Sequence, residues 1–151
     1  MATIEVADRA GFKRPVSVLV VVTTDGGEAL LLRRRQPPDF WQSVTGSLHW
    51  GELPGAAAIR ELHEETGIDA VPVATGRVNR FPILPAWRAR YHPDVRDNEE
   101  HVFTVRLPES VPVRLAPDEH SEALWIERDG AIARASSWTD REALKTLIPS
   151  G

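Results

Sequence analysis

The sequence predicts an α/β protein in which a β-sheet lies between helices, and three observations lead to this prediction. The β-branched run VSVLVVV at 16–22 is typical of a buried strand. Residues 56–66 are mostly good helix formers, with apolar side chains on one side. A second helical segment is predicted at 139–148, near the end of the chain. Strands that frame an amphipathic helix, followed by a closing helix, indicate a sheet covered by helices.

Length and composition indicate a single globular domain that spans residues 1–151. The chain has no cysteine, which excludes disulfides, zinc–thiolate sites and a thiol nucleophile. The net charge of −4 argues against general affinity for nucleic acid. No apolar signal segment is present at the start and no run reaches membrane-spanning length, so we expect a cytoplasmic protein without a membrane partner. The sequence leaves the oligomeric state open.

The first part of the chain predicts a β-hairpin that leads into a basic loop. Residues 1–12 are expected to form a loose lead-in. A turn at 24–27 separates the first strand from its partner at 29–33. The loop 33–41, RRRQPPDFW, is basic and stiffened by two prolines, and a short strand is expected at 42–45.

The second part predicts three strands and two closing helices. Gly76 indicates a bulge in the first of these strands. Thr139 as N-cap and Glu142 three residues later predict a capping box on the last helix. The predicted segments are strand 71–80, a long loop 81–97, strand 99–107, an acidic turn 116–122, strand 123–126, helix 130–135 and helix 139–148.

The stretch 46–68, GSLHWGELPGAAAIRELHEETGI, predicts a loop that feeds a helix. Pro54 suits the first helical turn, where its missing N–H costs nothing. Gly67 lies where a left-handed glycine would end the helix. The side expected to face a core consists of Ala58, Ile59, Leu62 and Thr66.

Three carboxylates share one edge of this helix. Glu64 and Glu65 lie three and four residues after Glu61, and like charges at such spacing destabilise an isolated helix by roughly 0.2–0.5 kcal/mol per pair. A hard divalent cation with oxygen ligands, such as Mg²⁺, would compensate. Glu52, in the preceding loop, could reach the same ion or orient a ligand. The alternative is an ordinary solvated helix face.

The spacing of the whole stretch resembles the Nudix box. It runs G, five residues, E, seven residues, R-E-L, one residue, E-E, one residue, G-I, and every fixed position is met. Nudix enzymes hydrolyse a nucleoside diphosphate linked to another moiety with Mg²⁺ or Mn²⁺, and they fold as a mixed β-sheet sandwiched between α-helices. The resemblance implies that Glu61, Glu64 and Glu65 bind the metal. It also implies that Arg60 supports the box by pairing with Glu52.

Four further segments resemble one branch of this family, the bacterial enzymes that remove pyrophosphate from dihydroneopterin triphosphate in folate synthesis. These segments are 13–21, 38–47, 90–95 and 136–144. The resemblance implies a small-molecule triphosphate as substrate, contacted by Lys13, Arg34 and Thr45. It also implies that Glu119, outside the box, joins Glu61 and Glu65 at the metal and is a candidate general base.

Several aromatic and basic side chains are candidates to hold the rest of such a substrate. A flat pterin or purine ring can stack on aromatic side chains, and arginines can hold phosphates. The alternative is that each aromatic residue fills the core or anchors a surface loop. The candidates are Phe40, Trp41, Trp87, Arg88, Arg90 and Tyr91.

Two other functions remain open at this point. A broader nucleoside triphosphate pyrophosphohydrolase, acting on dATP or similar nucleotides, fits the same residues because purine and pterin rings are alike in shape. A non-catalytic, nucleotide-binding Nudix domain that acts as a regulator is the other alternative. The presence of every box glutamate favours an enzyme over that regulator.

Overall fold

The computed structural model describes residues 11–150, which form a seven-stranded mixed sheet with three α-helices. The predicted lead-in 1–12 therefore lies almost entirely outside the described residues. The strands are β1 (Val16–Thr24), β2 (Glu28–Arg34), β3 (Trp41–Gln42), β4 (Val44–Ser47), β5 (Val73–Pro82), β6 (Asp97–Leu107) and β7 (His120–Glu127). The helices are α1 (Pro54–Thr66), a 3₁₀ helix (Pro85–Arg90), α2 (Arg128–Arg134) and α3 (Trp138–Leu147).

Strand β1 lies at the centre of the sheet. The strand order is β3-β2-β1-β6-β5, with β4 paired to β1 and β7 paired to β2. Among the strands of residues 11–150, only the β1–β6 pair is parallel, and it runs in register from Val16 opposite Glu99 to Thr24 opposite Leu107. The other pairs are antiparallel, including the predicted β1–β2 hairpin. The mixed sheet predicted from the family resemblance is confirmed.

Both faces of β1 are buried, which explains its uninterrupted apolar run. Alternate residues point to opposite faces of a strand. Val18, Val20 and Val22 pack with Leu62 of α1, whereas Leu19 and Val21 belong to a second cluster beneath α2 and α3. The sheet therefore separates two cores, one under the acidic helix and one under the closing helices.

Helix α1 has the predicted bounds. It begins at Pro54, and Gly67 ends it in the left-handed conformation at φ 76° with its N–H bonded to the His63 carbonyl. The predicted buried side is partly wrong. Ala58, Leu62 and Thr66 are buried, but Ile59 is 44% exposed, and Ala57 fills the core in its place.

The closing helices differ from the sequence prediction in how α3 begins. Its N-cap is Ser137, whose hydroxyl accepts from the Asp140 N–H at 3.2 Å. The predicted capping box at Thr139 and Glu142 is wrong, because Thr139 is already inside the first turn and is buried.

The remaining differences concern strand bounds. The predicted strand at 42–45 is split at Ser43, which donates its N–H and its hydroxyl to Asp140 at 2.6 and 2.7 Å. Strand β7 begins at His120, so the predicted acidic turn ends earlier than expected. The predicted bulge is confirmed, since the β5–β6 register shifts around Gly76, whose φ is 84°. None of the helices within 11–150 is long and apolar enough to cross a membrane.

Candidate active site

Two adjoining cavities share part of their lining. The first, here called the acidic cleft, has a volume of about 780 Å³ and is lined by Glu61, Glu65 and Glu119 among others. The second, here called the apolar cavity, has a volume of about 490 Å³ and lies between the sheet and the start of α3. Both volumes are in the range of small-molecule sites. The residues that line both cavities are Lys13, Arg34, Thr45, Gly46, Ser47, Trp87 and Arg90.

Glu65 is the most deeply buried carboxylate of the acidic cleft. It is 1% exposed, and its Oε1 has no hydrogen-bond partner among the described residues. Burial raises the pKa of Glu65 well above its usual range, and the neighbouring Glu61 and Glu119 raise it further. The backbone N–H of Thr45 donates to this carboxylate and partly offsets these effects. A buried acid with an open oxygen beside two more carboxylates is a site that attracts a cation.

The box arginine fixes the carboxylates around α1. Arg60 donates to both oxygens of Glu52, at 2.8 and 2.9 Å, and to Glu61 Oε1 at 2.8 Å. This pairing of Arg60 with Glu52 is the one expected from the family resemblance. The guanidinium also holds the Ser47 carbonyl at 3.2 Å, which ties β4 to the helix.

Glu64 lies apart from the other box glutamates. Its carboxylate is half-exposed and accepts from Arg60 at 3.2 Å, and it does not line the acidic cleft. Glu119 lies on the exposed rim of the cleft, at the turn before β7. The structure therefore brings Glu61, Glu65 and Glu119 to one cavity and leaves Glu64 at its margin.

The carboxylates of the cleft fit a hard divalent cation. Their oxygens are the ligands that Mg²⁺ and Mn²⁺ prefer, and Glu65 Oε1 is buried without a partner in residues 11–150. No three His, Cys, Asp or Glu side chains within that range are already arranged as a metal-binding group. Since Arg60 holds one oxygen of Glu61, a cation would have to compete with this guanidinium for that carboxylate.

His120 lies behind Glu65 and was not singled out from the sequence. It is 2% exposed, and its Nε2 is 3.9 Å from Glu65 Oε1 and 3.2 Å from Gln42 Nε2. Burial lowers the pKa of His120 to about 4, with Arg34 contributing. The imidazole is therefore neutral near pH 7 and does not act as a counter-charge for Glu65.

Three cationic side chains, those of Lys13, Arg34 and Arg90, lie where the two cavities meet. Burial lowers the pKa of Lys13, and Arg90 and Arg34 lower it further by repulsion. Burial also lowers the pKa of Arg34. None of the three forms an ion pair with a carboxylate in the part of the chain that the structure describes. Such mutual repulsion between cations is relieved by an anion such as a phosphate.

Aromatic side chains form part of the apolar cavity. Phe40 and Trp87 meet edge to face with ring centroids 5.8 Å apart, and Arg34 lies over the Trp87 ring at 5.4 Å. Tyr91 also lines this cavity. Trp41 does not, because it is buried in the core beneath α2 and α3.

Of the remaining predicted substrate residues, some line the two cavities and others do not. Thr45 lines both cavities, but its hydroxyl already donates to the Val18 carbonyl at 2.8 Å. Arg33 pairs with Asp39 and Glu122 and does not line the cavities. Within the RRR stretch, the residue that lines them is Arg34. Arg88 donates to the Pro93 carbonyl at 3.4 Å and lines neither cavity.

Asn98 and Glu100 line the apolar cavity and were missed in the sequence. Both lie on the inward face of β6 and are buried. The signal was a polar residue at an inward position of an otherwise alternating strand. Such a pattern becomes visible only once the register of the strand is known.

Comparison with known proteins gives matches over most of the chain. The NUDIX domain family model matches residues 13–147. The Escherichia coli K12 dihydroneopterin triphosphate diphosphatase is 39% identical over 143 residues, covering 91% of this chain and 94% of its own. The Haemophilus influenzae protein of the same name is 36% identical over 117 residues, covering 74% and 72%.

The solved structures show the same fold. The structure of the Escherichia coli dihydroneopterin triphosphate pyrophosphohydrolase superposes with a TM-score of 0.85 at 39% identity and covers 91% of this chain and 97% of that chain. A Nudix hydrolase of Listeria monocytogenes superposes with a TM-score of 0.75 at 23% identity, covering 89% and 92%, and shows the fold alone. The match over residues 13–147, together with these relatives, shows that the chain belongs to the Nudix hydrolase family, as the spacing of residues 46–68 predicted.

Proposed function

We propose that this protein hydrolyses dihydroneopterin triphosphate to the monophosphate and pyrophosphate, with Mg²⁺ as the cofactor and Mn²⁺ as a substitute. The observation that carries this proposal is the junction of the two cavities. A cationic neck formed by Lys13, Arg34 and Arg90 joins an apolar cavity to an acidic cleft. A molecule with a flat ring at one end and a triphosphate at the other matches this arrangement, with the ring in the apolar cavity and the phosphates at the neck and the cleft. Relatives 36–39% identical carry the name of a diphosphatase of that molecule.

The ring would lie in the apolar cavity. Phe40, Trp87 and Tyr91 offer apolar and aromatic surface there, and a bicyclic ring buries well against such side chains. The triphosphate would pass through the neck, where Lys13 and Arg34 neutralise its charge.

The acidic cleft would hold the divalent cation. Glu61, Glu65 and Glu119 are the residues proposed to bind it, with Glu64 as an outer contributor through Arg60. A bound divalent cation lowers the pKa of a water and offsets charge that develops on phosphate oxygens. Arg60 and Glu52 keep α1 and β4 in place, so their proposed role is to position Glu61.

Glu119 is the proposed general base. It lies on the exposed rim of the cleft, where its carboxylate can take a proton from an attacking water and pass it to solvent. One water is consumed, one P–O–P bond is broken, and the two products are the pterin monophosphate and pyrophosphate.

Identification of the products tests this proposal. Dihydroneopterin triphosphate is incubated with the protein and Mg²⁺, and the phosphate-containing products are identified by ³¹P NMR. Pyrophosphate and monophosphate in equal amounts, abolished by EDTA, are the expected result. Release of orthophosphate, or turnover that EDTA leaves unchanged, contradicts the proposal.

A further inference from the structure

Two buried polar side chains of β6 line the apolar cavity. Asn98 and Glu100 are each 5% exposed. They are two residues apart on a strand, so both side chains leave the same face of the sheet. Glu99 leaves the opposite face, where it accepts from Arg80 at 2.6 Å. The cavity that the aromatic side chains line is thus also lined by a pair of hydrogen-bonding groups.

One end of the Asn98 amide has no partner. Its Nδ2 donates to Ser17 Oγ at 2.7 Å, but its Oδ1 has no hydrogen bond to any of the described residues. Buried polar atoms of native proteins nearly always have a partner, because leaving one unpaired is costly. An unpaired carbonyl oxygen on the wall of a cavity is a position where a bound molecule can supply the missing donor.

Glu100 also has acceptor capacity to spare. Its Oε1 accepts from Asn79 Nδ2 at 3.2 Å, and its carboxylate accepts from the Thr139 hydroxyl. A carboxylate has about four acceptor positions, so roughly two are unused. Burial raises the pKa of Glu100, and no cation pairs with it in residues 11–150.

Asp140 provides the contrast within the same cavity wall. It is fully buried, but both of its oxygens accept from Ser43. Asp140 therefore joins α3 to the sheet and is structural, whereas Asn98 and Glu100 keep open groups next to the cavity.

We infer that Asn98 and Glu100 recognise the edge of the substrate's ring and select rings in which an amino group lies next to a ring N–H. This inference rests on the proposed function, because it assigns the ring to the apolar cavity. The 2-amino-4-oxo edge shared by pterin and guanine presents two adjacent donors, which suit a carboxylate and an amide oxygen. The adenine edge presents one donor beside an acceptor nitrogen, which would face carboxylate lone pairs.

The test is Glu100→Gln, which keeps the shape of the side chain but replaces one acceptor oxygen by a donor. kcat/KM is measured with Mg²⁺ for dihydroneopterin triphosphate and for ATP, and binding of neopterin, which lacks phosphates, is followed by its fluorescence without metal. The preference for the pterin over ATP should fall about 10–100-fold, the range for a hydrogen bond to a charged group. The affinity for neopterin should fall with it.

Glu99→Gln is the matched control, because it makes the same chemical change on the opposite face of the same strand. It should leave both the preference and neopterin binding unchanged. Asn98→Leu is the second variant, which removes the amide at similar volume and should weaken neopterin binding in the same direction. Circular dichroism and thermal unfolding identify any variant that fails to fold, and the other variant then decides.

The outcomes separate this inference from the proposed function. A wild type that prefers the pterin, with folded Glu100→Gln and Asn98→Leu variants that keep its preference and its neopterin affinity, overturns the inference alone. A wild type that turns over ATP as well as the pterin triphosphate overturns both. Loss of preference in Glu100→Gln, with Glu99→Gln unchanged, is the result expected here.

Discussion

Arg60 donates two parallel hydrogen bonds to Glu52, from Nη2 to Oε1 at 2.8 Å and from Nε to Oε2 at 2.9 Å. The same guanidinium donates from Nη1 to Glu61 Oε1 at 2.8 Å. One arginine therefore connects the loop before α1 to a carboxylate of the acidic cleft. Paired bonds of this kind add geometric specificity as well as energy.

Glu52→Gln is expected to reduce the free energy of unfolding at pH 7 by about 1.5–3 kcal/mol, the range for hydrogen bonds to charged groups. The reason is that the amide keeps only one acceptor oxygen for Arg60 and loses the charge. Urea unfolding followed by circular dichroism measures the change. Glu64→Gln is the control. The Glu64 carboxylate is half-exposed, so its ion pair with Arg60 should contribute about 1 kcal/mol or less to the free energy of unfolding.

The contribution of Glu52 should also depend on pH in a defined direction. Hydrogen bonding to Arg60 lowers the pKa of Glu52 from 4.5 to about 2. Because the folded-state pKa is the lower one, the stabilisation is present above pH 4.5 and is lost as the pH falls towards about 2. The difference in unfolding free energy between wild type and Glu52→Gln should therefore shrink across this window. A difference that stays constant down to pH 2 would show that the pair does not stabilise the charged form.

Gly46→Ala should displace the Glu61 carboxylate. A Cβ built on Gly46 collides with the carboxylate carbon and both oxygens of Glu61, which must then move. We expect binding of Mn²⁺, measured by electron paramagnetic resonance, and kcat/KM to fall about 10–100-fold, as for changes next to metal ligands. Gly55→Ala is the matched control in α1. Its Cβ meets nothing within 4 Å, so it should leave metal binding unchanged and raise stability slightly.

Glu65→Gln should separate activity from folding. It replaces a buried carboxyl group that is costly to ionise and whose Oε1 has no partner among the described residues, so the variant should unfold at the same or a higher temperature than wild type without metal. Turnover should fall by at least about 100-fold, since even outer partners of a metal ligand matter 10–100-fold. The increase in melting temperature that Mg²⁺ gives to wild type should disappear. An unchanged increase would remove Glu65 from the metal site.

Arg34→Ala should raise KM more than it lowers kcat. Arg34 lines both cavities and pairs with no carboxylate in residues 11–150, so it is available to phosphates in the ground state and the transition state alike. Steady-state kinetics should show KM about tenfold higher or more, as expected for charged hydrogen bonds. Arg33→Ala, which removes an arginine paired with Asp39 and Glu122 outside both cavities, is the control. An unchanged KM in Arg34→Ala would contradict a role for Arg34 in binding the substrate.

The parts that the sequence predicted well depend on local signals. Helix α1 begins at Pro54 and ends before Gly67 because a proline and a left-handed glycine act within one turn of their own position. The spacing of the box then identified the family, and the pairing of Arg60 with Glu52 followed from the resemblance.

The parts that were missed depend on contacts distant in sequence. Ser137 rather than Thr139 caps α3, and Asp140 inside that helix binds Ser43 about a hundred residues earlier. Asn98 reaches a cavity only because β6 pairs in parallel with β1, next to Ser17. Local patterns do not contain the register of a parallel pair, so these residues could not be assigned from the sequence.

The most direct test of the proposed function compares substrates side by side. kcat/KM for release of pyrophosphate is measured with Mg²⁺ for dihydroneopterin triphosphate and for ATP and dATP under the same conditions. A clear preference for the pterin triphosphate is predicted. Equal or better turnover of a nucleotide would retain the Nudix chemistry but contradict the pterin assignment, and no turnover with any divalent cation would favour a binding domain instead of an enzyme.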